Sequence, residues 1–463
     1  MPASDSPDVL VARFLLANNY HETFAAFVRE TNLTPDSITT RPTDLTIEKI
    51  LEEKKLYDLA VRFEKLNVAA EDVVFAVPHP ATPTTLTTLS TASNILSVTL
   101  TSLVIPADAA GPQPVIISTS ADKLLRVYSA RAPHALLHTS PVALHAGPIL
   151  SVVVVAQRWL VTGSMAGDIA VSNVSGEVVQ RWEGHKKFVV KLVASHILPA
   201  GDEGGPKEEE EEEEGIYLAA ASYDKTLSIH KLWTPRADAS DRGQPRLEFV
   251  QSIAFSQTVE DVIFTADYNS TSPFPLLIST IRDSAYLHIY SLSPPSSPPP
   301  ASSSQHQPIF TLISKPPLNS TATTWLTYTP TSLTLNPKRP HLLALITSSL
   351  PSPKLLIYNL ATGTIDSAIP VPTTLSAYST GVVAWRGDVP ASGLWINSDD
   401  GVIRGVELRT GAVKAELQAH DGRKVRCLAA GMIPRADDDD DDSEADEVLV
   451  SGGFDGSLKV WRV

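Results

Sequence analysis

The chain has 463 residues, with 37 Lys and Arg against 52 Asp and Glu, giving a net charge of −15. That balance argues against a protein that must neutralise duplex phosphates over a broad face, so no direct nucleic-acid contact is expected. The single cysteine, Cys427, excludes an intrachain disulfide framework and any multi-cysteine metal site, and it points to a reducing compartment.

The longest apolar stretch, residues 149–156, is far short of the roughly 20 that span a bilayer, and the first residues form no basic-then-apolar leader. A cytoplasmic or nuclear protein without membrane contact is the expectation. Most of the surplus acid sits in two segments, 202–214 and 437–447, each with nine carboxylates. Outside them 34 acids face 36 bases, so the body of the chain is nearly neutral. Blocks of like charge stay solvated, and both segments read as loops. A third biased segment, 293–307 (SPPSSPPPASSSQHQ), has too little apolar content to pack and reads as an extended spacer.

The first elements are helical. Leu10, Val11, Phe14 and Leu15 recur at helical spacing, Asn18-Asn19 breaks the pattern, and Phe24, Phe27 and Val28 resume it. Two helices of about ten residues cannot stand alone in water. Pairing with a second chain into a four-helix bundle is the simplest way to cover them. From Pro7 to Thr31 these residues resemble the LisH motif, a dimerisation element. Leu10, Val11, Phe14, Leu15 and Leu16 match its first helix, and Tyr20, Glu22, Thr23, Ala26, Phe27, Arg29 and Glu30 match its second. Asn19 stands where the family has Gly at the turn. The resemblance implies a homodimer held by Leu10, Val11, Phe14, Leu15, Tyr20, Phe24, Phe27 and Val28. A further helix is predicted over 44–66, with Ile47, Ile50, Leu51, Leu56, Leu59, Ala60 and Phe63 on its apolar side.

From about residue 95 the texture changes to short β-rich runs. An apolar strand, a turn with Ser and Asp, and a second strand ending in an aromatic recur. The clearest copies are IISTSADKLLRVY (116–128), LAAASYDKTLSIHKLW (218–233) and VLVSGGFDGSLKVW (448–461). Weaker ones begin at 161, 278, 346 and 396, making seven units whose second strands lie 45 to 69 residues apart. Four-stranded sheets of this size bury their faces by stacking in a ring. Gly184-His185, Asp224, His420, Asp455 and Trp461 resemble the blade signatures of the WD-repeat family. That resemblance implies an all-β, seven-bladed WD-repeat propeller over 84–463, preceded by a small α-helical LisH dimerisation region. Residues 84–90 would supply the outer strand of the last blade. All three biased segments would then leave one face of the ring, with the opposite face as the ordered docking surface.

His185, Ser222 and Asp224 have the residue types of a hydrolase triad, but the family resemblance assigns His185, Ser222, Asp224, His420, Asp455 and Trp461 to a structural hydrogen-bond network. Blade three has His230 where Trp is usual, blade seven has Gly453 in place of Ser, and blades one, two, four, five and six are expected to lack more members. No catalytic constellation, cofactor site or metal site is read from the sequence. Candidate docking residues are Lys186, Lys187, Phe188, Tyr223, Arg423, Lys424 and Phe454, of types that dominate interfaces. The function expected is that of a non-enzymatic homodimeric scaffold for partner proteins or peptides. A substrate receptor of a ubiquitin ligase, for which Tyr128-Ser129-Ala130-Arg131 would be a degenerate docking box, is the alternative. Corepressor-like or dynein-regulator-like adaptor roles are further alternatives.

Overall fold

The computed structural model describes residues 6–34, single positions up to 50, and the chain from Phe75 onward except for loop segments. The longest of these are 196–212, 293–309, 320–328 and 435–444. Most of the helix predicted over 44–66, and the three biased segments apart from residues 213–214 and 445–447, lie outside the described residues. The chain divides into two compact units, Met1–Val68 and Ala69–Val463.

In the first unit, Ser6 caps the helix Pro7–Ala17 by accepting from the Val9 amide, and Pro7 occupies a first-turn position where no backbone donor is needed. Asn18 ends that helix. Asn19, at φ 61°, takes the left-handed conformation that the turn demands and that Asn tolerates better than most residues. The second helix, His21–Thr31, stops at Asn32, also left-handed at φ 56°. Val9 and Ala12 are buried together with Leu33 and Ile38, and Phe24, Phe27 and Val28 pack against them.

The second unit is a seven-bladed β-propeller of four-stranded antiparallel sheets. Blade one comprises Ile95–Val104, Pro112–Ser120, Leu125–Ser129 and Leu136–Thr139, here lettered a to d from the centre outward. Blade two comprises Ile149–Val155, Trp159–Ser164, Asp168–Ser172 and Val178–Glu183. Blade three comprises Val189–Ala194, Glu213–Ser222, Thr226–Pro235 and Arg246–Ala254. Blade four comprises Val259–Thr265, Leu276–Ile281, Leu287–Leu292 and Phe310–Ser314. Blade five comprises Pro330–Leu335, Leu342–Thr347, Lys354–Asn359 and Thr364–Pro370. Blade six comprises Val383–Trp385, Leu394–Ile396, Val402–Val406 and Val413–Gln418. Blade seven takes Val425–Pro434, Ala445–Gly453 and Leu458–Arg462 from the end of the chain and its outer strand, Thr82–Leu86, from before blade one. That strand pairs Thr82 with Arg462 and Leu86 with Leu458. It begins two residues before the 84–90 read from the sequence, and residues 87–90 lie outside the described residues.

The b strands are apolar on both sides because neighbouring blades cover both faces. Leu342–Thr347 and Leu276–Ile281, for example, are buried along their whole length. Each core cluster therefore draws from consecutive blades, as where Ile95, Ile116 and Tyr128 of blade one meet Val448, Leu458 and Val460 of blade seven. Polar side chains stitch the seams. Gln180 exchanges two hydrogen bonds with the backbone of Leu247, at 2.8 and 2.6 Å, and Gln251 does the same with Phe310 at 3.0 and 2.9 Å. The fully buried carboxylate of Asp261 in blade four accepts from the Leu333 amide in blade five at 2.7 Å. Burial raises its pKa, against the Lys191 ammonium 3.5 Å away.

In an up-and-down sheet the a–b and c–d connections share one face. Segments 196–212 and 435–444 join a to b, and 293–309 joins c to d, so all three leave from the same side. The b–c turns and the d–a connections between blades occupy the opposite face.

Candidate protein-docking face

The turn face is organised by buried histidines in the d–a connections, where each imidazole can reach back to the following blade. In blade three, His185 Nδ1 lies 3.0 Å from Asp224 Oδ2, which also accepts from the Lys186 amide at 2.9 Å. His185 Nε2 lies 2.8 Å from Ser228 Oγ, and Ser228 is in turn 2.9 Å from His230 Nε2. Since Nδ1–H donates to the carboxylate, Ser228 must donate to His185 and accept from His230. The Ser222 hydroxyl is elsewhere: it accepts from the Asp224 amide at 3.1 Å and faces the Lys187 carbonyl. The expected contact between Ser222 and His185 is therefore replaced by one from strand c. The reason is local: Ala220 holds the inward b-strand position, so the hydroxyl comes from Ser228 instead. Ser228 is closed to solvent and bonded to two imidazoles.

Blade seven does have its hydroxyl, two residues before Gly453. Ser451 Oγ lies 3.0 Å from His420 Nε2 and accepts from Trp461 Nε1 at 3.0 Å, while His420 Nδ1 meets Asp455 at 3.0 Å. Ser451→Ala would strand two buried donor–acceptor groups and is expected to lower stability by about 1–3 kcal/mol, against a smaller loss for Ser222→Ala at its turn. Chemical denaturation of the two variants checks the order.

Blade two corrects the expectation of a degenerate network. His145 Nδ1 lies 2.8 Å from Asp168 and Nε2 lies 2.7 Å from Thr162 Oγ1, with Ser164 and Arg181 also bonded to Asp168. Burial raises the Asp168 carboxyl, but bonds from His145 and Ser164 and the charges around it outweigh that and hold it at about 2. Blades one and six use arginine instead. Arg126 pairs with Asp122 at 2.7 Å and Arg404 with Asp400 at 2.8 Å, each within one blade.

Burial lowers the pKa of His185 and His420 despite their carboxylate partners, so both rings are neutral near pH 7. Asp224 and Asp455 are raised by burial but lowered more by hydrogen bonds from Thr226 and Ser457 and from their histidines. The turn face is thus a rigid set of satisfied pairs on which the docking candidates are mounted.

Lys186, Lys187 and Phe188 are exposed on blade three, Phe188 to 38%. Tyr223 is half-buried, its ring 6.1 Å from that of Phe188. Arg282 lies 5.1 Å over the Tyr223 ring, donates to its hydroxyl at 3.1 Å and holds Glu260 at 2.6 Å. Arg282 was not among the sequence candidates, although it precedes Asp283 in blade four as Tyr223 precedes Asp224. On blade seven, Arg423 and Phe454 are exposed, and Lys424 bonds Ser379 at 2.8 Å and lies 3.3 Å from Asp399. The Phe454 amide donates to the Lys424 carbonyl just as that of Tyr223 donates to Phe188, so the two patches occupy equivalent turns.

On the helical hairpin, Leu10, Val11, Phe14, Leu15, Phe24, Phe27 and Val28 are half-buried, and Tyr20 is 53% exposed. At Tyr128–Arg131 the tyrosine and Ala130 are buried in blade one, Ser129 is half-buried and Arg131 is exposed. Among the described residues no three His, Cys, Asp or Glu side chains gather as a metal site would require, and no helix is long and apolar enough to cross a membrane.

The LisH family profile matches residues 8–31, and the profile described as WD domain, G-beta repeat matches residues 411–462. A search of curated proteins finds no match. The second profile covers the blade in which histidine, serine, aspartate and tryptophan are all present, and blades one, two, three and six depart from that pattern in the ways just described. The chain thus carries a LisH motif and a WD repeat within a seven-bladed propeller, and this combination indicates a protein-interaction scaffold.

Proposed function

We propose that the protein is a non-enzymatic homodimeric scaffold of the cytoplasm or nucleus, in which the helical hairpin joins two chains and the turn face of each propeller docks a partner protein or peptide. The observation that carries this reading is the incomplete cover of the hairpin. Seven apolar side chains on its two helices are only half-buried and Leu16 is 41% exposed, in helices too short to persist alone. A second copy supplies the missing cover. Two propellers on one dimer present two docking faces, and a partner with two binding segments gains avidity without any new contact.

Lys186, Lys187, Phe188, Tyr223, Arg423, Lys424 and Phe454 are the proposed contact residues, joined by Arg282. They combine aromatic and cationic side chains on turns already held by hydrogen bonds, so the turns themselves need no ordering on binding. The buried state of Ser228 supports a structural role for the histidine network. Light scattering on the full chain is expected to give twice the chain mass, and Phe14→Asp to give a folded monomer. A monomeric wild type at micromolar concentration would refute the pairing. Tyr223→Ala combined with Phe454→Ala is expected to abolish partner capture while leaving the dimer mass unchanged.

A further inference from the structure

Among the described residues just before the first strand of the ring, Phe75 and 77–80 form no β-pairing and the Ala81 amide is the first to donate to Arg462, yet Phe75 is only 3% exposed. Its ring sits against blade six, 5.3 Å from Trp395 in an edge arrangement and 5.7 Å from His79. The Arg386 guanidinium lies 4.6 Å over its face. Gly393 and Gly405 form the floor: a Cβ at either would come within 2.1 and 2.4 Å of the Phe75 ring. Arg386 also donates to the Pro78 carbonyl at 3.2 Å while paired with Glu447 of blade seven at 2.8 Å. Val77 between them is 84% exposed.

From this geometry we infer that the seam between blades six and seven is a peptide-binding notch, occupied in cis by Phe75–Pro80. Its ligand class is a short Phe-x-x-Pro peptide: a phenyl ring for the glycine floor and a carbonyl for Arg386. Recognition by one ring and one carbonyl, with the Val77 side chain turned to water, is how a docked peptide is held and differs from the continuous pairing of the four blade strands. Two prolines remove backbone donors, so the segment lies on the seam without unmet amides at those positions. The notch lies on the a–b side of blades six and seven, away from the docking turns.

The test uses the full chain carrying Phe75→Ala, with a synthetic nonapeptide of residues 73–81 (VVFAVPHPA) added in trans. The variant is expected to melt below wild type, and the peptide to raise its midpoint by several degrees in a saturable manner, with a change in tryptophan fluorescence. The same peptide with Ala for Phe is expected to have no effect. An unchanged midpoint at millimolar wild-type peptide, or an equal rise with the Ala peptide, overturns the inference. Should Phe75→Ala fail to fold, Phe75→Leu keeps an aliphatic plug and is judged by the same two outcomes.

Discussion

Arg386→Met is expected to destabilise the ring by about 3–5 kcal/mol, the range for removing one partner of a buried ion pair. Arg386 is wholly buried and grips both oxygens of Glu447, itself buried at the start of strand b in blade seven. Phe75 covers the guanidinium and the Pro78 carbonyl takes another of its N–H groups. Loss of the arginine leaves a carboxylate with no countercharge in a dry seam, a larger penalty than the pair's own net attraction. The double variant Arg386→Met with Glu447→Met removes both charges and is expected to recover most of the loss. Urea unfolding of the two single variants and the double variant measures the coupling directly. A single Arg386→Met variant within 1 kcal/mol of wild type would show that the seam is wet or that Glu447 finds another partner.

Neither Arg386 nor Phe75 is visible in a reading by repeats, and the reason is physical. Repeat recognition finds side chains that recur at the same blade position, whereas this cluster joins three stretches of chain that meet only once the ring has closed. The helical hairpin and the strands of the ring were legible because period and turn chemistry are local: Asn19 at the hairpin turn and the Ser-Asp turns of blades three and seven announce themselves within a few residues. The network in blade two was not legible, because its aspartate stands at the first residue of strand c, two places beyond the position held by Asp224 and Asp455. Asp168 nonetheless reaches His145, because it holds the place of Thr226 and Ser457, whose hydroxyls also lie 3.0 Å from Nδ1 of their histidines. The same logic explains Ser222. It was chosen by its place beside the turn, but the hydroxyl that a d–a histidine can touch must point inward, and Ser451, Thr162 and Ser228 do so from either of two adjacent strands. Among the docking candidates, Arg282 escaped because the pattern was followed within blades, while its guanidinium acts across the seam on Tyr223.

The two faces of the ring thus differ in kind. One has its polar groups satisfied in short turns by His–Asp or Arg–Asp pairs, and the other carries the long inserts. The turns of the first face are already fixed by these pairs and need no ordering when a partner arrives, which is why the proposed contacts are placed there even though the inserts hold most of the net charge.

Acidification is expected to weaken the ring through its buried histidines, well before the depressed carboxyls of its turns titrate. Burial and the neighbouring His185 push His230 down to about 3, and burial together with Lys315 pushes His288 down to about 4, from an unfolded value of 6.5. Each folded pKa lies below the unfolded one, so the unfolded chain binds more protons as pH falls. The neutral rings cost nothing above pH 6.5, and stability is lost progressively from there toward the folded values. The slope is about 1.4 kcal/mol per pH unit for each such histidine, or about 2.7 kcal/mol for His230 between pH 6.5 and about 4.5. The depressed carboxyls of Asp168, Asp224 and Asp455 contribute above 3.8 and lose their contribution only below it, outside this window. Glu260 and Asp261 are raised by burial and so act in the opposite direction, which makes a single pH profile ambiguous. Comparison with His230→Gln removes the ambiguity. The amide can still donate to Ser228 but takes up no proton, and its denaturation free energy is expected to fall by about 1.4 kcal/mol less per pH unit than that of wild type across the window. Parallel profiles for the two proteins would mean that the His230 ring is solvated in the folded ring, and that the seam between blades two and three, where Trp182 packs 4.5 Å from it, is open to water.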